Sequence, residues 1–93
     1  MAQQVKAAHI LVSSESKARE LLEKANAGSD FGELARKHSD CPSGKKCGDL
    51  GWFGCGQMVR EFEDAAFQGK KGSIVGPVKT QFGWHLIKIV DQR

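Results

Sequence analysis

The sequence predicts a single α+β domain over residues 1–93, and three observations support this. A chain of 93 residues suits one domain with a modest core. Short apolar runs typical of strands alternate with segments in which apolar residues recur every three or four positions, as on one helix face. Glycines and serines separate many of these segments. The predicted order is one strand, three helical segments, a strand, a helix and two strands.

The first two elements are a strand and an amphipathic helix. Residues 5–12 are short and rich in aliphatic side chains, which favours a strand, and His9 lies inside it. Ser14 is a typical helix-start residue. Residues 15–27 then carry apolar side chains at helical spacing, and Gly28 follows as the C-terminal stop.

A second helix and a glycine-rich loop come next. Asp30 with Glu33 three residues later resembles a capping box, and residues 31–38 repeat the helical spacing. Between Cys41 and Gly56 the frequent glycines leave room only for a helical turn and a short strand near residues 50–53. Because loops often carry binding and catalytic residues, this segment is expected to be functional.

The last third predicts one helix and two strands. Residues 60–68 have apolar positions at helical spacing, and Gly69 or Gly72 can end that helix. Pro77 confines the next strand to a sheet edge or to a strand start. In the final strand, residues 84–90, the side chains of His85, Ile87 and Ile89 share one face.

Charge and cysteine content limit the class of protein. Fourteen basic and eleven acidic residues leave a net charge of +3 with the signs interspersed, so no nucleic-acid partner is expected. Three cysteines are an odd count in one short stretch, which favours a reducing compartment over a disulfide framework. No apolar run has the length of a signal peptide or a membrane span, so we expect a cytoplasmic protein without membrane contact.

Motifs for nucleotides and metals are incomplete. The glycines after residue 53 lack the third glycine of a dinucleotide fingerprint, and Gly69-Lys70-Lys71 lacks the hydroxyl residue of a Walker loop. His38 and the three cysteines have irregular spacing without a Cys-x2-Cys pair. We therefore expect neither a cofactor nor a bound metal.

Two histidines inside apolar strands are the most informative polar residues. An unpaired buried imidazole costs about 1–3 kcal/mol, so His9 and His85 each need a partner. Two such residues could share one proton between facing nitrogens, and Thr80 could offer its hydroxyl to them. Each histidine alone is more often a satisfied core residue, Thr80 could be an ordinary turn hydroxyl, and Cys41 could be an inert thiol. Leu50, Met58 and Phe62, taken singly, are more often core than pocket residues.

Seven motifs, read together, resemble the parvulin family of peptidyl-prolyl isomerases, and most closely its small stand-alone prokaryotic members. They cover nearly the whole chain in the family's order. They are His9-Ile10-Leu11-Val12, Ser39-Asp40-Cys41-Pro42-Ser43-Gly44, Gly48-Asp49-Leu50-Gly51-Trp52-Phe53, Gly56-Gln57-Met58-Val59, Phe62-Glu63-Asp64-Ala65-Ala66-Phe67, Gly76-Pro77-Val78 and Phe82-Gly83-Trp84-His85-Leu86-Ile87-Lys88.

The resemblance implies a parvulin (FKBP-like) fold, in which four antiparallel strands are surrounded by four helices in the order βαααβαββ. It implies cis/trans isomerisation of Xaa-Pro bonds in proteins, assisting folding, by a monomer. The residues implied as catalytic are His9, Cys41, Thr80 and His85. The residues implied as substrate-binding are Leu50, Gln57, Met58, Phe62 and Phe82, the last of which should make the cleft more apolar than in members with a smaller polar residue.

Two departures from the family pattern bear on substrates. Ser13-Ser14-Glu15 lacks the basic cluster with which phospho-specific members hold a phosphate, so no phosphoserine requirement is expected. Arg60-Glu61 replaces the proline that often precedes the pocket phenylalanine. The alternative from another class is a proline-peptide-binding chaperone module with little turnover, and a nucleic-acid-binding role is a distant third.

Overall fold

The computed structural model describes residues 4–40, 48–54 and 56–93, which form an antiparallel sheet and the helices packed on it. The strands lie in the order β2-β1-β4-β3, and every neighbouring pair is antiparallel. The elements are β1 (Gln4–Val12), α1 (Glu15–Asn26), α2 (Phe31–His38), β2 (Asp49–Gly54), α3 (Arg60–Gln68), β3 (Ile74–Thr80) and β4 (Gly83–Gln92).

The four antiparallel strands agree with the expectation, but the count of helices differs. The described part of the chain contains three helices, so its order is βααβαββ and not the expected βαααβαββ. The extra helical segment was expected between α2 and β2, where residues 41–47 lie outside the described residues. Gly48, the first described residue after this gap, is not helical: its φ is 77°, and β2 begins at the next residue.

The helix starts match the sequence signals in part. Ser14 is the N-cap of α1, and its hydroxyl accepts a hydrogen bond from the Lys17 N–H at 3.4 Å. Gly28 follows the C-cap residue with a φ of 113°, as expected for a helix stop. Asp30 is the N-cap of α2, yet its side chain makes no capping bond, and Glu33 pairs with Arg36 at 3.2 Å instead. The expected capping box is therefore absent.

Two hydrophobic clusters cover the two faces of the sheet. The alternation of side chains along β1 and β4 sends successive residues to opposite clusters. The first cluster, with α1 and α2, contains Ala8, Ile10, Val12, Ala18, Leu21, Phe31, Leu34, Ala35 and Leu86. The second cluster, with α3, contains Val5, Ala7, Phe53, Phe62, Ala66, Ile87 and Ile89. Because His9 and His85 alternate in phase with the second cluster, they lie on the α3 face.

Strand β3 lies at the edge of the sheet, as Pro77 predicts. Its pairing with β4 changes register between Val75 and Val78, around the proline that cannot donate a ladder hydrogen bond. The described helices have 12, 8 and 9 residues, and none is long and apolar enough to cross a membrane.

Candidate active site

A buried pair of histidines forms the polar centre of the α3 face. In the β1–β4 ladder Leu11 is opposite His85 and His9 is opposite Ile87, so the two imidazoles are diagonal neighbours. Their Nδ1 atoms are 3.2 Å apart, and His85 Nε2 is 2.8 Å from the Thr80 hydroxyl oxygen. All three side chains are buried, and no buried side-chain nitrogen or oxygen of the described residues lacks a partner.

The distance between the two Nδ1 atoms limits the protonation of the pair. One proton can lie between the facing nitrogens, whereas two would place two N–H groups against each other. Burial, with a smaller contribution from the charge of His85, lowers the pKa of His9 to about 4. Burial also lowers the pKa of His85. Both rings are therefore neutral at pH 7, and each offers a donor and an acceptor without a net charge.

Phe62 of α3 holds the two rings from the side opposite the sheet. Its ring centroid is 5.5 Å from that of His9 and 5.3 Å from that of His85, in edge-to-face geometry with both. The same side chain contacts Phe53 of β2 at 6.0 Å between centroids. Because Phe62 is 3% exposed, it packs in the core as well as against the histidine pair.

Thr80 connects the histidine pair to the turn between β3 and β4. Its hydroxyl oxygen accepts the Phe82 N–H at 3.2 Å while contacting His85 Nε2 at 2.8 Å. The hydroxyl therefore fixes both the imidazole of His85 and the backbone of Phe82. Phe82 is 61% exposed, and it lines the cavity described next.

Above these residues lies an open cavity of about 370 Å³. Its lining combines six apolar side chains with the two histidines and one carboxylate residue. The lining residues are His9, Leu11, Asp40, Leu50, Met58, Val59, Phe62, Phe82 and His85. A mostly apolar cavity with a few convergent polar groups is the usual form of a small ligand site.

Hydrogen bonds fasten the loop that supplies Met58 to the cavity. The Gly54 N–H donates to the Gln57 side-chain oxygen at 2.9 Å, and the Gly56 N–H donates to the Glu63 carboxylate. Gln57 is exposed and does not line the cavity, so the structure places it in the support of this loop.

The residues expected at the site therefore divide into three groups. The cavity lining includes His9, His85, Leu50, Met58, Phe62 and Phe82. Thr80 lies beneath the lining, and Gln57 lies beside it. Cys41 lies outside the described residues, as do Cys47 and Cys55.

Three lining residues were not expected from the sequence: Leu11, Asp40 and Val59. The alternation of β1 could have identified Leu11, because it lies two residues after His9 and so shares its face. Val59 could have been found as the neighbour of Met58. No local signal distinguishes Asp40 from other surface carboxylates.

The described residues contain no group of three His, Cys, Asp or Glu side chains placed to hold a metal ion. The geometry consists of a neutral, hydrogen-bonded floor beneath an apolar cavity. Such a site can bind and reorient an apolar group, and its described part has no nucleophile aligned with a general base.

Comparison with known proteins relates this geometry to a family. Residues 1–93 match the family described as PPIC-type PPIASE domain. The chain is 49% identical over 89 residues to the foldase protein PrsA of Geobacillus sp. (strain WCH70), covering 95% of this chain and 32% of that protein. It thus spans about a third of the length of this relative.

Solved structures agree with these matches. The crystal structure of the peptidylprolyl isomerase PrsA from Bacillus anthracis superimposes with a TM-score of 0.95 and 44% identity, covering 99% of this chain and 43% of that one. The solution structure of NmPin, the parvulin of Nitrosopumilus maritimus, superimposes with a TM-score of 0.86 and 46% identity. The match to NmPin covers 96% of this chain and 97% of that one.

Proposed function

The chain belongs to the PPIC-type peptidyl-prolyl isomerase family, and we propose that its apolar cavity is where an Xaa-Pro bond turns between cis and trans. Family membership confirms the predicted parvulin resemblance and the predicted class of enzyme. The observation that carries the proposal for this chain is the cavity of about 370 Å³, with mostly apolar walls and a floor of two neutral histidines.

The reaction requires rotation and no bond cleavage. Resonance gives the amide a rotation barrier of about 18–20 kcal/mol, and Xaa-Pro bonds isomerise in tens of seconds or longer without a catalyst. The twisted amide has less charge separation than the planar amide, so an apolar cavity disfavours the planar ground state relative to the transition state. A cavity with these walls therefore suits the reaction without a cofactor.

The lining residues receive distinct roles in this proposal. Leu50, Met58 and Phe62 grip the proline ring while the rest of the peptide turns. His9 and His85 form the floor, and their neutrality at pH 7 keeps a full charge away from the apolar ring. Phe82 closes one wall of the cavity.

The role of Cys41 rests on the family resemblance. We propose that Cys41 acts electrostatically and not as a nucleophile, with its environment influenced by the histidine network. A Cys41→Ser variant should retain substantial activity, because a hydroxyl can replace the thiol in an electrostatic role. Complete loss of activity in a folded Cys41→Ser variant would contradict this assignment.

The proposed substrates are unphosphorylated proline-containing segments of polypeptides, whose folding the domain would assist. No cationic side chain occurs in residues 13–15, where Ser14 caps α1 and Glu15 pairs with Arg19 at 3.4 Å. Arg60, where the family often has proline, begins α3 and is exposed.

Exchange spectroscopy of small Xaa-Pro peptides by NMR tests the proposal. The protein at catalytic concentration should raise the cis/trans exchange rate, and Met58→Ala should lower kcat/KM because a side chain that grips the ring is truncated. Val90→Ala is the matched control, since Val90 is exposed and does not line the cavity. Binding of the peptides without faster exchange would instead favour a proline-peptide-binding chaperone module.

We also propose a monomer in the cytoplasm that binds neither nucleic acid nor membranes. The odd count of three cysteines supports a reducing compartment, and the interspersed charges support the absence of a nucleic-acid surface. Cell fractionation tests the location, and sedimentation at several protein concentrations tests the monomer. Recovery outside the cytoplasm, or a mass that doubles with concentration, would contradict these two proposals.

A further inference from the structure

Asp40 occupies a fixed position in the cavity wall. Its backbone N–H donates to the Leu11 carbonyl at 2.7 Å, and the Leu11 N–H donates to the hydroxyl of Ser39 at 3.1 Å. These two bonds fasten residues 39 and 40 to the end of β1. Leu11 itself lines the cavity, so Asp40 is held beside the bound substrate that we propose.

Among the described residues that line the cavity, Asp40 is the single one with an acidic side chain, and none has a lysine or arginine side chain. Six of the other lining residues are apolar. The remaining two, His9 and His85, are neutral at pH 7 because they are buried. The chain as a whole carries a net charge of +3, so a negative charge at this point opposes the overall balance.

No cation of the described residues pairs with this carboxylate. Some other acidic residues do have such partners, for example Glu33 with Arg36 at 3.2 Å and Asp91 with Lys71 at 3.2 Å. Asp40 is exposed, so it retains its hydration and can exchange part of it for a cationic ligand. A carboxylate with no cationic partner among the described residues, beside described lining residues that carry no other charge, can attract a cationic side chain of a bound peptide.

Resting on the isomerase function proposed above, we propose that Asp40 makes this site prefer prolines that are directly flanked by lysine or arginine. Adjacent Cα atoms lie about 3.8 Å apart, so a ring in the cavity brings both neighbouring residues to the cavity wall. Lysine and arginine have long, flexible stems that can reach a carboxylate at the rim. The peptide cation and the Asp40 carboxylate would form an exposed ion pair. Such a pair should raise kcat/KM by about fivefold or less over an uncharged residue at the same position.

The test compares peptides that differ only in one residue next to proline. Lysine, norleucine and glutamate are placed before the proline in one series and after it in another, and kcat/KM is measured by exchange spectroscopy. In the wild-type protein the ratio of lysine to norleucine should be about two to five in at least one series. Glutamate should fall below norleucine in that series, and added salt should reduce both differences.

Two variants assign the preference to the carboxylate. Asp40→Asn should bring the ratio of lysine to norleucine close to one, whatever its effect on the absolute rate. Asp91→Asn is the matched control, because it also removes one carboxylate, six residues beyond His85 along β4. Asp91 is therefore about 20 Å from His85 in the cavity floor, farther than the screening length of about 10 Å at 0.1 M salt. This control should keep the wild-type ratio.

The outcomes separate this inference from the function on which it rests. A wild-type protein that accelerates no peptide overturns the isomerase proposal. A protein that accelerates norleucine peptides but shows a lysine-to-norleucine ratio of about one in both series overturns the role of Asp40 alone. An Asp40→Asn variant that keeps the lysine preference also overturns it.

Discussion

Acid should destabilise this protein through the buried histidine pair. His9 is 5% exposed and has its pKa lowered from 6.5 to about 4 by burial and by His85. In the unfolded chain its pKa returns to about 6.5, so the unfolded state binds more protons between pH 4 and 6.5. The free energy of unfolding therefore falls as the pH falls through this window. It is fully recovered above about pH 7.

The size of this effect follows from the two pKa values of His9. A decrease from 6.5 to about 4 corresponds to about 3 kcal/mol, at ~1.36 kcal/mol per pH unit. At pH 5 about 2 kcal/mol of this is already lost. His85 adds a loss of the same sign, because burial lowers its pKa as well. A small domain has a total stability of about 5–15 kcal/mol, so the loss is a substantial fraction of it.

Urea unfolding at pH 5.0–7.5 measures the free energy of unfolding, and NMR titration of the imidazole protons measures each pKa. This range lies above the titration of ordinary carboxylates, which would add their own pH dependence. His9→Gln should remove most of the dependence, whereas His38→Gln should remove a smaller part, because His38 is only half-buried, and burial and the nearby lysines lower its pKa in the same direction. If His9→Gln does not fold, the titration of the wild-type protein decides alone. A His9 that titrates near 6.5 with pH-independent unfolding would refute the reasoning.

Three further substitutions test the supports of the site. Phe62→Ala should cost about 3–5 kcal/mol and most of the activity, because it removes a buried ring that contacts both histidines; urea unfolding and exchange rates measure this. Gly48→Ala should lower the melting temperature, because the new Cβ would meet the His9 carbonyl at a φ of 77°. Thr80→Val should cost about 1–3 kcal/mol in urea unfolding, because it leaves His85 Nε2 without the hydroxyl.

Each of these substitutions has a control within the chain. Phe62→Leu keeps most of the apolar volume and should be milder than Phe62→Ala. Gly28→Ala also places a residue at positive φ, but its Cβ would meet nothing within 4 Å, so any excess loss at Gly48 reports the contact with His9. Thr80→Ser restores the hydroxyl and should recover stability. Equal effects of Val and Ser at position 80 would contradict the role of the hydrogen bond.

Local sequence patterns predicted most of the helices and strands. Ser14 and Gly28 mark the ends of α1, and Pro77 correctly places β3 at a sheet edge, because each acts through its own backbone geometry. Asp30 shows where such patterns are insufficient: it is the N-cap of α2 but makes no side-chain bond there.

The sequence predicted most of the residues of the candidate site but not their atomic contacts. Leu50, Met58, Phe62 and Phe82 line the cavity as the family resemblance implies. Gln57 does not, because its side chain reaches back to the Gly54 N–H. Side-chain direction at the surface depends on neighbours that a sequence pattern does not specify.

By itself the sequence determined that two histidines lie in apolar strands, that the chain alternates strands and helices, and that its motifs are those of a parvulin. Tertiary structure decided that the Nδ1 atoms of His9 and His85, 76 positions apart, face each other at 3.2 Å. It also decided that Asp40 reaches the cavity wall through its bond to Leu11. Periodicity is a local property of the chain, whereas contacts across a sheet depend on the pairing register of distant strands.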